Sequence, residues 1–101
     1  MTERTVTLAE LGLTAKGGRD AHVTGLAVDS RQVRAGYLFA ALPGSAVHGA
    51  TFVETALRHG AAAVLTDQAG AKIAAGVLAA SKAAVVVAED AAAAVAAVRD
   101  M

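Results

Sequence analysis

The stretch GLAVDSRQVRAGYLFAALPGSAVHGATFVETALRHGAAAVLTD, residues 25–67, decides the fold of this chain. It opens on an apolar run that stops at Asp29-Ser30-Arg31 and resumes at Tyr37 as a second apolar run, which stops at Pro43-Gly44. In residues 23–28, Val23, Gly25 and Ala27 fall on one side of an extended chain and Thr24, Leu26 and Val28 on the other. Both sides are nearly apolar, as in a strand covered on both faces. Residues 37–42 read the same way, and Pro43-Gly44 ends them in a turn. TFVETALRHG then predicts a helix, with Thr51 and Glu54 spaced as a capping box and Gly60 at the position just past the C-terminus.

Working outward, AAAVLTD (61–67) and AAVVVAE (83–89) read as two further buried strands, the second with three consecutive valines. Residues 68–82 are alanine-rich with Gly70 and Gly76 inside, which predicts one or two short helices. A final helix opens at Asp90. Upstream, Leu8, Leu11 and Leu13 around Glu10 predict a short first helix, ended by the glycine pair of KGGRD at 16–20. Strands alternating with helices give an α/β fold: a small, mainly parallel sheet of about four or five strands with helices on both faces.

Bulk properties exclude several function classes. At 101 residues, 55% of them hydrophobic, the chain fits one domain with one modest core. Nine basic residues balance nine acidic ones, so no overall field draws the chain to nucleic acid or an anionic membrane. Three aromatic residues, Tyr37, Phe39 and Phe52, are too few for a base-stacking platform. The absence of cysteine rules out disulfides and thiolate chemistry and fits a reducing, cytoplasmic setting. No apolar run is long enough to span a bilayer once Lys72, Lys82, Glu89 and Asp90 interrupt it.

Two places carry candidate chemistry. Asp29 and Ser30 sit at the carboxyl end of a predicted parallel strand, where open α/β sheets bind ligands; turn chemistry alone also accounts for them. The loop from Gly44 to Gly49 is rich in small residues, and its backbone N–H groups at Ser45, Ala46 and Val47 suit an anion. Thr51 and Glu54 would meanwhile satisfy the following helix end. The loop is not a G-x-x-x-x-G-K-[ST] phosphate loop. His22, His48 and His59 lack a metal-ligand spacing, and no metal site is expected. His59 suits the last turn of a helix, whereas His48, inside the loop, is a candidate ligand contact. No nucleophile with base and orienting partner can be assembled, so no catalytic residue is named.

The order of these features resembles the N-terminal domain of the Mur ligases. A strand ends in Asp-Ser-Arg, a glycine is followed two residues on by Leu38-Phe39, a glycine-bounded loop follows, and a helix closes at Gly60-Ala61 before a strand. The likeness is greatest to the branch that adds the third amino acid to UDP-N-acetylmuramoyl-L-Ala-D-Glu. The resemblance implies a UDP-substrate-binding domain spanning 1–101, with uridine contacts at Val28 and Ser30 and contacts near the diphosphate at Ser45, Ala46 and Val47. It implies that the central ATPase and C-terminal domains, with ATP and Mg²⁺, lie outside these residues. There ATP would phosphorylate the UDP-N-acetylmuramoyl-dipeptide carboxylate and an amine would displace the phosphate. The corresponding domain of the sister ligase that adds the final dipeptide, and a stand-alone nucleotide-sugar-binding module, remain alternatives. Two positions depart from the family pattern: Ala35 stands where Pro is usual and His48 where Asp is usual. The first alters turn stiffness by about 0.5 kcal/mol through the unfolded state.

Overall fold

The computed structural model describes residues 5–16, 21–44 and 46–99. A four-stranded, wholly parallel sheet is built from β3 (Gly25–Ala27), β4 (Tyr37–Ala41), β5 (Ala63–Thr66) and β6 (Ala84–Val87), which lie side by side in sequence order. Ahead of them β1 (Val6–Thr7) and β2 (His22–Val23) form a small antiparallel pair. The helices are α1 (Val53–Arg58), α2 (Gln68–Ile73), α3 (Ala75–Ala79) and α4 (Ala91–Arg99), with 3-10 turns at Ser30–Gln32 and Gly49–Phe52.

The apolar strands are explained by what covers each face. Side chains alternate across a strand, and Phe39, Ala41 and Val64 meet Val33, Ala50, Val53, Ala56, Ala74 and Leu78 on one side. On the other side Leu38, Ala40, Ala63, Leu65, Ala84 and Val86 meet Leu8, Ala15, Val23 and Val95. Three successive right-handed crossovers between neighbouring parallel strands place all their connections on one face. That leaves α4 and the N-terminal segment to cover the second face. Leu38, Phe39, Val64 and Leu65 are at most 1% exposed, and each such side chain contributes about 1.5–3 kcal/mol by burial.

Three expectations need correction. Leu8, Leu11 and Leu13 do not form a helix: residues 8–12 are a turn in which the N–H groups of Leu11 and Leu13 both donate to the Leu8 carbonyl. Leu8 is driven into the core as a plug, while Leu11 and Leu13 only flank it. Residues 23–28 are not one strand. The chain breaks at Thr24, whose N–H donates to the Gly36 carbonyl and whose hydroxyl donates to the Ala35 carbonyl, so Val23 and Ala27 end up on opposite faces of the sheet. The capping box does not form either, because helical structure begins earlier, in the 3-10 turn at Gly49, with Thr51 already inside it. Glu54 instead pairs with Arg58 at 2.8 Å. Gly60 does close α1, at φ +99°, a conformation that disfavours any side chain. Asp90 does cap α4, accepting the Ala93 N–H at 3.0 Å.

Candidate functional site

The turn after β3 is organised by its own three residues. The Asp29 carboxylate accepts the Arg31 N–H at 2.9 Å, capping the 3-10 turn, and takes the Arg31 guanidinium at 3.0 and 2.8 Å. The Arg31 side chain and N–H hold the Asp29 carboxyl down to about 2. From outside the turn, His59 at the end of α1 donates from Nδ1 to the Ser30 carbonyl at 3.0 Å. Asp29 and Arg31 are therefore largely spent on shaping the turn. Ser30, 8% exposed, is left facing a cleft.

The second wall is the loop after β4. Its neck is closed by Gly49 N–H donating to the Leu42 carbonyl at 2.7 Å. His48 then caps the 3-10 turn, its Nδ1 accepting the Ala50 N–H at 2.9 Å. The opposite ring nitrogen of His48 lies 2.8 Å from Asp67 Oδ1, and that oxygen also accepts the Gly70 N–H at 2.7 Å as the N-cap of α2. The Gly70 N–H, with His48 adding to it, lowers the Asp67 pKa. His48 thus does the capping expected of an Asp and is not free as a ligand contact.

Between these walls lies an open cleft of about 580 Å³, lined at the strand end by Val28, Asp29, Ser30 and Arg31 and at the loop by Gly44, Val47 and Gly49, with Phe52 and Thr55 at its floor. Of the five residues expected from sequence, the structure brings together Val28, Ser30 and Val47. Ala46 is exposed beside Val47 but does not line the cleft, and Ser45 lies outside the described residues. The N–H groups of Ala46 and Val47 have no hydrogen-bond partner among the described residues. Phe52 is the residue that sequence reasoning missed. The 3-10 turn that starts at Gly49 leaves its side chain 44% exposed at the cleft.

Three of the four exposed large hydrophobic side chains among the described residues, Val28, Val47 and Phe52, line this one cleft; the fourth, Ile73, is on α2. A slightly larger hollow of about 620 Å³ beside β6 is lined by Ala15, Ala71 and Ala75 with Lys16, Lys72, Thr14 and Gln68, and touches neither motif. Among the described residues no group of three or more His, Asp or Glu could hold a metal ion, and no helix is long and apolar enough to cross a membrane.

Comparison with known proteins decides the family. The family described as "Mur ligase family, catalytic domain" matches residues 22–100. The chain belongs to the Mur ligase family. Among Mur ligases it is similar to the UDP-N-acetylmuramoyl-L-alanyl-D-glutamate–2,6-diaminopimelate ligase of Streptomyces coelicolor, 58% identical over 66 residues, covering 65% of this chain and 13% of that protein. The ligase of the same name from Streptomyces avermitilis is 61% identical over 57 residues, covering 56% of this chain and 11% of that protein. This Mur ligase chain therefore spans about an eighth of the length of these relatives. Its fold is shared by MurF from Acinetobacter baumannii, with a TM-score of 0.72 at 16% identity over 96% of this chain and 21% of that one. At that identity the likeness speaks for the fold alone.

Proposed function

We propose that this chain is the UDP-precursor-binding domain of a ligase that adds the third amino acid to UDP-N-acetylmuramoyl-L-Ala-D-Glu in peptidoglycan synthesis. The amino acid would be 2,6-diaminopimelate, as the relatives' names state of those proteins. The observation that carries this reading is the cleft, in which the end of a parallel strand and a small-residue loop meet. Such a cleft suits a planar base, because Val28 and Val47 on its walls and Phe52 at its floor offer apolar surface already exposed to solvent. The Ser30 hydroxyl would bond a uracil or ribose oxygen. The N–H groups of Ala46 and Val47, without a partner among the described residues, would meet the diphosphate as backbone dipoles, and so would that of Ser45 expected from the sequence.

The described residues do not offer a site for ATP or Mg²⁺. The sequence holds no G-x-x-x-x-G-K-[ST] loop, and the described residues offer no cluster of metal-ligating side chains. No step of the amide-forming chemistry is assigned to them, and their part is to hold the nucleotide end of the precursor. In the complete ligase, ATP, Mg²⁺ and the incoming amino acid belong to the rest of the protein, where this reading places it in the cytoplasm.

Competition on the 101-residue chain tests the reading. UDP-N-acetylmuramoyl-dipeptide and UDP should bind at the same place, UDP with a Kd of about 10⁻⁴ to 10⁻³ M, since an open cleft recovers little of the cost of association. ADP should compete poorly. Equal competition by ADP, or no competition between UDP and the precursor, would contradict a uridine site.

A further inference from the structure

His48 makes two bonds whose partners leave its protons no choice. A backbone amide only donates, so the Nδ1 that receives the Ala50 N–H at 2.9 Å carries no proton. A carboxylate only accepts, so the Nε2 that lies 2.8 Å from Asp67 Oδ1 carries one. His59 is the reverse case: its Nδ1 faces the Ser30 carbonyl at 3.0 Å and must hold the proton there. Each wall of the cleft is thus held from behind by a histidine, His48 donating from Nε2 and His59 from Nδ1.

We propose that His48 is a positioning residue for nucleotide binding, its bridge from the Ala50 N–H to Asp67 fixing the loop on the start of α2 and holding Val47 at the cleft wall. The proposal rests on the UDP reading above. Several observations carry it. The His48 side chain is only 12% exposed and the Asp67 side chain 20%. The Asp67 carboxylate is anchored independently by the Gly70 N–H, so it offers the ring a fixed partner. Gly70 makes the approach possible, because a Cβ there would sit 2.7 Å from the His48 ring and would collide with the Thr66 hydroxyl. Ahead of His48, Ala46 and Val47 make no hydrogen bond among the described residues, where the loop's backbone ties lie at its neck and beyond it, from Gly49 to Leu42 and from Thr51 to His48. The bridge is what connects this loop to α2 through side chains.

The test separates capping from bridging. Asparagine at 48 keeps an acceptor where Nδ1 lies, and so keeps the cap, but is too short to reach Asp67. In the His48→Asn chain the melting temperature should fall by only a few degrees for the one lost bond, the Ala46 and Val47 amides should show increased motion by ¹⁵N relaxation, and UDP should bind about three- to tenfold more weakly. His48→Ala should lose both the affinity and part of the stability. Ring ¹⁵N shifts of the unaltered chain near neutral pH should show the proton on Nε2 of His48 and on Nδ1 of His59. Unchanged loop relaxation and UDP affinity in His48→Asn, or a neutral His48 protonated on Nδ1, would overturn the proposal. If the unaltered chain fails to bind UDP while His48→Asn still loosens the loop, the UDP reading falls and the bridge stands.

Discussion

Residues in the cleft divide into those that shape it and those left to touch a ligand, and substitutions should separate the two. Ser30→Ala should weaken UDP binding by about 0.5–1.5 kcal/mol, the net worth of one neutral hydrogen bond, with little change in unfolding. A large fall in melting temperature at unchanged affinity would make Ser30 a turn residue only. Phe52→Ala removes a side chain 44% exposed, so stability should fall by about 1–2 kcal/mol for the part that is buried. UDP affinity should also fall several-fold by titration calorimetry, and no fall would remove Phe52 from the site. Asp29 belongs to the shaping group. Its carboxyl is held at about 2, below the ordinary 3.8, by the Arg31 side chain and N–H. A depressed carboxylate stabilises the fold above its unfolded value and stops doing so as pH falls through its folded value. The turn should therefore stay locked at pH 4 and loosen only as pH approaches 2, which a ¹³C carboxyl titration reads directly. Because the pair is exposed, its contribution to global stability is small.

At the scale of elements, Asp67 ties β5, α2 and the loop together. It ends the third strand of the parallel sheet, caps α2 and receives His48. Asp67→Ala should cost about 0.5–2 kcal/mol through the lost cap, measured by urea unfolding, and should also loosen Val47. Its lowered pKa, caused first by the Gly70 N–H and then by His48, places the loss of this stabilisation on the acid side, as pH falls below the usual carboxylate range. Elements also show where reading the sequence fails. Strands β4 to β6, the closing glycine of α1 and the Asp90 cap were legible because each is local: an apolar run, a residue tolerant of positive φ, a carboxylate before an alanine run. The start of the first helix was not, because Thr51 and Glu54 carry a valid capping signal that is overridden when His48 begins the helical turn three residues earlier. That shift re-phases the start of the helix and leaves Phe52 exposed at the cleft.

Across the whole molecule, the sheet works as a partition with helices α1 to α3 on one side and α4 with the N-terminal segment on the other. Phe39, 1% exposed between Val33, Val53 and the strands, should be indispensable. Phe39→Ala should cost about 3–5 kcal/mol, a large share of the ~5–15 kcal/mol by which domains are stable, and circular dichroism should show a chain that unfolds well below the unaltered one. The α/β class was legible because two-sided burial makes parallel strands apolar throughout. The position of the cleft was legible because strand ends in such sheets face one edge. The path of residues 8–16 and 21–24 was not, since a leucine plug and a break at Thr24 depend on partners far along the chain, at Ala21, Ala35 and Gly36. The central claim, that a uridine nucleotide occupies the cleft between Ser30 and Val47, is tested most directly by titrating the ¹⁵N-labelled chain with UDP. Val28, Ser30 and Val47 should shift together with Phe52 and Thr55, saturating in the millimolar range and changing only modestly with salt, because the phosphate contacts are backbone dipoles. Shifts confined to Lys16, Ala71 and Ala75 beside β6, or none at millimolar UDP, would contradict the account.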